Sequence, residues 1–400
     1  MTFVSQPDAA ARPARARVPH IALAALGAAY FLIGVASLGA VGMVVEMGAA
    51  LEVPPSAIAG LVTVFALLYA LAAPATQALI GHLARRDVIA GGLLLAGAGC
   101  ALSALAQDYD TVVAARLIMA VGAAMTGPTL TAAAASMVPP EERARALAIV
   151  FGGMSIASVA GIPLASQLAQ SFGWRWAWGA LAVAAVLAAP VIRGMLPAGN
   201  RGARASLAAL GAVLGDRAAA LTISVTGLAI TAQFTTYALV AIWLVEAAGQ
   251  PVSLIPPALL LCGVGGVVGN VAAAMSSRAF GEAATCLICL LGSLACMIAM
   301  PFATGHPAAA LGVLALWSGL SMGYMAPVQS LLVSQTGDRA PLALALNGSA
   351  VYLGMAGGST VAAVGYAALG AGPLPLVSAG LMLAPLALYL LALRSRRTAV

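Results

Sequence analysis

Lysine is absent from this 400-residue chain, and charge of either sign is scarce: Asp, Glu, Lys and Arg together make up 8% of it. A soluble protein of this length needs charge to cover its surface, so the shortage excludes an ordinary globular domain. Without lysine there is also no Gly-rich phosphate loop ending in Lys and Ser/Thr, which argues against direct ATP drive. Histidine occurs only as His20, His82 and His306, each at the end of an apolar run. The five cysteines lie inside such runs. One CxxC, Cys286 and Cys289, has no second pair and no histidine nearby, so it reads as small apolar residues one helical turn apart. No carboxylate falls in the middle of a run. No metal site and no cofactor is therefore expected. Gly319-Leu320-Ser321-Met322-Gly323 has the spacing of a hydrolase elbow, but that motif needs a strand-to-helix turn and a His–acid pair. It lies within an apolar run, as does the sequon Asn347-Gly348-Ser349, so neither an enzyme nor a glycosylated loop is expected.

Hydrophobic residues fill the space that charge leaves, at 62% of the chain. They gather in twelve runs, at 20–50, 57–81, 88–106, 111–138, 146–170, 176–195, 218–246, 255–277, 283–303, 307–335, 341–369 and 374–393. A membrane-spanning helix needs about 20 apolar residues. Lipid offers no partner to free N–H and C=O groups, so such spans must be helical. The expected fold class is an all-α membrane protein of twelve transmembrane helices.

All eighteen positive charges are arginines. Sixteen of them fall at the termini or in every second gap between runs: Arg12, Arg15, Arg17; Arg85, Arg86; Arg143, Arg145; Arg193, Arg201, Arg204, Arg217; Arg278; Arg339; Arg394, Arg396, Arg397. Basic residues stay on the cytoplasmic side, so both termini are expected there, in a multi-pass protein of the plasma (bacterial inner) membrane. The net charge of +6 is thus a topology signal, and no basic surface suited to nucleic acid is expected. The first run follows a basic segment as a signal peptide does, but it is too long for one and is read as a retained helix.

The longest cytoplasmic gap divides the chain into residues 1–196, a linker at 197–216, and residues 217–400. In the linker, Leu207, Leu210, Val213 and Leu214 recur at helical spacing and suggest a short amphipathic helix on the membrane surface. The halves match weakly at an offset of 197: Pro54-Pro55-Ser56-Ala57-Ile58 with Pro251-Val252-Ser253-Leu254-Ile255, Gly122 with Gly319, Met125 with Met322, Gly161 with Gly358. Six spans per half give both halves the same orientation, the parallel repeat of transporters built from two six-helix bundles.

Several strings carry a family resemblance. They are Gly81-His82-Leu83-Ala84-Arg85-Arg86-Asp87 between runs two and three, and Arg116 followed by Gly122 in run four. Run five has Arg145 through Gly152-Gly153, then Gly161-Ile162-Pro163, and run eleven has Ala343 through Asn347-Gly348-Ser349-Ala350. Together they resemble the major facilitator superfamily, most of all its twelve-helix drug/proton antiporter branch near the sugar-efflux and arabinose-efflux-permease-like members. The resemblance implies two pseudo-symmetric six-helix bundles around a central pocket, working as a monomer. It implies a conformational role for Gly81, Arg85, Arg86 and Asp87, and for Gly152, Gly153, Gly161 and Pro163 at the interface between halves. It also implies an Asp immediately before the loop's arginines, locking the outward-closed state, and a proton-titrating Glu in helix 1. Here those positions hold Arg85 and Ser37.

Arg116 is the one charge plainly inside a run, and an intramembrane arginine usually faces an interior and has a use. The resemblance suggests a coupling role. A proton site then falls to Glu46 or Glu246, near the outer ends of helices 1 and 7. In the resembling fold, helices 1, 4, 7 and 10 line the pocket. Substrate-binding candidates are Tyr30 and Ser37 on helix 1, Gln233 and Tyr237 on helix 7, and Trp317, Ser321 and Tyr324 on helix 10, with the amide of Asn347 on helix 11. Trp174, Trp176 and Trp178 read as interfacial anchors. The expected function is secondary export of a small organic solute (drug, sugar or related metabolite) by alternating access in exchange for protons. The alternative is a proton-independent facilitator or importer of the same fold.

Overall fold

Twelve helices long and apolar enough to cross a membrane are present in the computed structural model, which describes residues 20–201 and 207–397. They are α1 (His20–Gly42), α2 (Pro55–Ile80), α3 (Arg85–Leu105), α4 (Tyr109–Ser136), α5 (Arg143–Phe172) and α6 (Trp174–Met195) in the first half. The second half has α7 (Arg217–Tyr237), α8 (Val252–Phe280), α9 (Glu282–Ala303), α10 (Pro307–Thr336), α11 (Leu342–Leu369) and α12 (Leu374–Leu393). Asp8, Arg12, Arg15, Arg17 and Arg204 lie outside the described residues, and so do the side chains of Leu207 and Leu210. The linker helix forms over Leu207–Leu214. It docks on the second half, where Arg339 donates to the Ala212 carbonyl at 3.1 Å and to Asp216 at 3.3 Å.

The offset of 197 holds in the helices themselves. It separates the starts of α2 and α8 (Pro55, Val252) and the ends of α5 and α11 (Phe172, Leu369). Both leading helices also break at matching points, where an unbroken run was expected. After Gly42 the tighter Met43 N–H to Ala40 C=O bond interrupts α1, and a short helix, Val44–Leu51, follows. In α7 the Leu239 N–H to Thr236 C=O bond does the same, before Val240–Ile242 and a π turn at Trp243–Ala247. A second π turn widens α5 at Ala157–Gly161. Pro163 follows closely; it has no N–H to donate, and its ring crowds the carbonyl of Val159.

Helices in lipid gain little from hydrophobic burial against each other and pack by close approach of small residues. A Cβ on Gly122 of α4 would stand 2.5 Å from the Ala96 nitrogen of α3, so only glycine fits there. At the start of α4, Asp108 accepts from the Thr111 N–H at 2.8 Å and its hydroxyl at 3.0 Å. These bonds cap the helix and hold the Asp108 carboxyl below its ordinary range. The tryptophan expectation is corrected. Trp174 and Trp178 are buried at 2% and 1% exposure, and only Trp176, at 68%, lies on the surface. Trp174 and Trp178, four residues apart, share one face of the helix, which α6 turns inward, while Trp176 lies on the opposite face.

The end of the bundle at which α1 begins and α12 finishes is here the terminal end, the opposite one the far end. Hydrogen bonds join the halves on the far side. Thr63 of α2 donates to the Ala356 carbonyl of α11 at 3.5 Å and lies 3.4 Å from the Thr360 hydroxyl. Gln170 of α5 donates to the Val252 carbonyl of α8 at 3.1 Å. Deeper in, Tyr69 of α2 stacks on Tyr352 of α11, ring centroids 3.7 Å apart. Gly263 of α8 sits against the backbone of Ser158 and Val159 in α5. Toward the terminal end the contact is lost: a Cβ on Gly152 of α5 or Gly348 of α11 would meet nothing within 4 Å. The contacts named between the halves thus run from the far end to mid-span.

Candidate functional site

Two polar and aromatic clusters lie at mid-span, one across the seam between the halves and one within the second half. On the first half, Tyr30 of α1 packs against Phe151 of α5, centroids 5.6 Å apart. The phenols of Tyr30, Tyr69 and Tyr352 are neighbours, and Tyr352 also interacts with the Ser37 side chain. On the second half, Gln233 of α7 donates to the Ser321 carbonyl of α10 at 3.0 Å, and the Ser321 hydroxyl lies 2.8 Å from that of Ser293 in α9. Tyr237 lies between Phe234, at 5.3 Å, and Trp317, at 6.4 Å. Six of the eight expected ligand residues therefore fall into these clusters. The other two do not. Tyr324 lies beside Cys286 of α9, and no contact ties Asn347 to either cluster.

Two buried polar atoms of the second-half cluster have no protein partner, Gln233 Oε1 and Trp317 Nε1. A buried polar group without a hydrogen bond is destabilising, by about 1–3 kcal/mol, unless something else satisfies it. A solute with both apolar surface and a few hydrogen-bonding groups suits such a lining. Tyr69 and Tyr352 were not among the expected ligands, because they lie on seam helices outside the set 1, 4, 7 and 10. Their sequence signal was only a tyrosine in mid-span.

Arg116 is fully buried. Its guanidinium donates to the Leu61 carbonyl of α2 at 3.2 Å and to the Ser37 carbonyl of α1 at 2.7 Å, and also to the Ala36 carbonyl. Its Cζ lies 4.6 Å from the Phe65 ring centroid and 5.7 Å from that of Trp178. The cation is thus spread over carbonyl dipoles and ring faces with no carboxylate, and it ties α1, α2 and α4 together.

Glu46 and Glu246 differ sharply. Both carboxylate oxygens of Glu46 are buried without a partner. Its helix, Val44–Leu51, extends past α1 and touches Val240–Ile242 of the other half. Burial raises the Glu46 carboxyl above its ordinary value. Glu246 is exposed and accepts from the Tyr366 hydroxyl at 2.9 Å.

The loop between α2 and α3 is held within the first half. Gly81 caps α2 through its N–H to the Gln77 carbonyl. Arg85 donates to the Ala132 carbonyl of α4 at 3.0 Å and to Asn200 Oδ1 of the linker at 2.7 Å. Asp87 pairs with Arg193 of α6 at 2.7 Å and with Arg86 at 3.8 Å. With Arg85 where an Asp was implied, the tie is rebuilt from α6 and the linker. Gly153 and Gly161 pack on α1, against Gly27 and against Val35 and Phe31, while Gly152 faces open space. The seam contact of α5 comes instead from Ser158 and Val159, in the π turn just before Pro163.

Comparison with known proteins agrees with this architecture. Residues 26–359 match the model of the Major Facilitator Superfamily. The inner membrane transport protein YdhP of Escherichia coli (strain K12) is 27% identical over 377 residues, covering 94% of this chain and 96% of the relative. YbcL of Bacillus subtilis (strain 168), an uncharacterised MFS-type transporter, is 26% identical, covering 84% and 86%. The crystal structure of a bacterial homologue of the human lysosomal transporter Spinster, in an inward-facing and unoccupied conformation, superposes with a TM-score of 0.73 at 16% identity, covering 95% of this chain and 98% of the other. Twelve apolar helices in two repeated halves thus meet a family match spanning most of the length: the chain belongs to the Major Facilitator Superfamily and is a multi-pass membrane transport protein.

Proposed function

We propose that the protein exports a small organic solute by alternating access in exchange for protons, with Glu46 as the proton-carrying group. The single observation behind this is the placement of Glu46. Its carboxylate is buried without a donor on a helix that touches the other half at the closed far end. An isolated buried carboxylate is strongly disfavoured, so the closed state favours the neutral acid. Opening the far end hydrates the group and releases its proton. Two accessible states with different proton affinity are what coupling requires. Arg116 acts by holding Ala36 and Ser37, on the helix that leads to Glu46. The lining residues Tyr30, Ser37, Gln233, Tyr237, Trp317 and Ser321, joined by Tyr69 and Tyr352, contact the solute.

The division into residues 1–196 and 217–400 with a linker at 197–216 is part of this reading, each half rocking as one body. The arginine distribution supports termini in the cytoplasm of the inner membrane. With that orientation the far end is outside and the described conformation is open inward. The test uses the purified protein in liposomes with a pH-sensitive dye. Adding a transported solute should release protons, and Glu46→Gln should transport without moving them. Proton release that survives Glu46→Gln overturns the assignment. The absence of any carboxylate in mid-span favours a second reading, a proton-independent facilitator, which predicts solute flux with no proton movement at all.

A further inference from the structure

A separate cavity of about 610 Å³ opens at the far end of the second half. Its wall includes Trp243, Glu246, Pro301, Thr304, Gly370 and Leu376. Every lining residue belongs to the second half, so rocking between halves does not dismantle it. Three helix C-terminal ends meet there: the π turn Trp243–Ala247 that continues α7, the end of α9 at Ala303, and the end of α11 at Leu369. Each brings the negative end of a helix, with part of the carbonyl charge already taken up by N–H bonds to Trp243, Leu244 and Tyr366. The Glu246 carboxylate adds a full negative charge and accepts from the neutral Tyr366 hydroxyl. Among the described residues no arginine offsets this field, although the first turn of α12 at residues 374–376 also borders the cavity with the weaker positive end of a helix. All six arginines from residue 217 onward belong to the terminal end. Arg175, on the far side of the first half, is engaged by the Ala106 carbonyl at 2.8 Å and stacks over Trp174 at 4.4 Å.

We propose that this cavity is a binding site for a small organic cation, a protonated amine or quaternary ammonium, distinct from the space between the halves. The volume falls within the range of small-molecule sites, about 300–1,000 Å³. A bare metal ion fits it poorly, since Ca²⁺ needs about 6–8 converging oxygens and one carboxylate is present. Pro301, Pro373 and Leu376 offer apolar surface to the carbon groups around the nitrogen, with Glu246 and the carbonyl ends holding the charge.

The test measures benzyltrimethylammonium binding to the purified full chain by isothermal titration calorimetry, beside its neutral isostere neopentylbenzene. The cation should bind at least ten times more tightly than the isostere. Glu246→Gln should weaken the cation at least tenfold and leave the isostere unchanged. Tyr366→Phe, which keeps the carboxylate, should retain cation binding. Glu246 is exposed, so its amide variant keeps the fold, which size-exclusion chromatography verifies. No measurable cation binding, equal affinity for the isostere, or full affinity in Glu246→Gln would each overturn the site. None of these readouts depends on transport or on Glu46, so the proposal stands or falls separately from the proton-exchange reading.

Discussion

Gly263 on α8 controls how closely the far ends of the two halves approach. A methyl group there would stand 2.6 Å from the Val159 Cα and 2.7 Å from the Ser158 carbonyl carbon, both backbone atoms of α5 that no rotamer change can move. Gly263→Ala must therefore push α8 away from α5 by roughly an ångström, or lose the closed seam. Overpacking of this kind is destabilising by about 1–3 kcal/mol. The state open at the far end has no such contact and keeps its energy, so the balance between states shifts by about 5- to 150-fold toward it. Spin labels at Phe172→Cys and Val252→Cys report the shift by pulsed electron resonance. Both residues are exposed, and they flank the Gln170–Val252 hydrogen bond. The five native cysteines are buried, so labelling is selective. The short-distance population should fall and a longer one should grow, with solute turnover reduced. Gly152→Ala is the control, since nothing lies within 4 Å of its added methyl. An unchanged distance distribution with normal turnover in Gly263→Ala would refute the view that this seam is a gate.

Three further outcomes follow from particular side chains. Glu46 carries a raised carboxyl in the closed state, so closure at the far end should be favoured at acid pH and fade as pH rises from the ordinary carboxyl value through the raised one; the same spin-label pair read across pH should show this, and Glu46→Gln should stay closed at every pH. Arg116→Ala should insert in the membrane but lose concentrative export, and Arg116→Lys should restore little, because one ammonium cannot reproduce three carbonyl contacts from a planar fork; normal export by Arg116→Ala would remove its coupling role. Trp174→Ala should destabilise the protein by about 3–5 kcal/mol and Trp176→Ala by less than about 0.5 kcal/mol, read from thermal unfolding in detergent, since one ring is buried and the other exposed.

The chain itself determined the number of spans, their helical form and their grouping into two similar halves, because lipid forces each apolar run to satisfy its own backbone. That constraint is local, which is why the offset of 197 read from scattered prolines and glycines reappears in the ends of the helices. What depends on contact across the fold was not legible. Glu46 and Glu246 are equal in sequence, both carboxylates near the outer end of a leading helix; only packing buries the first and leaves the second at the mouth of a cavity. Tyr69 and Tyr352 lie 283 positions apart, and no periodicity along either helix signals that their rings stack. The breaks in α1 and α7 fall just past Gly42 and just past Thr236-Tyr237, and the hydrophobic run continues through both, so run length alone did not mark them. Hydrophobicity along the chain decides what enters the membrane, while the facing of one helix toward another, which hydrophobicity does not encode in a chain apolar on every side, is set by close packing in three dimensions.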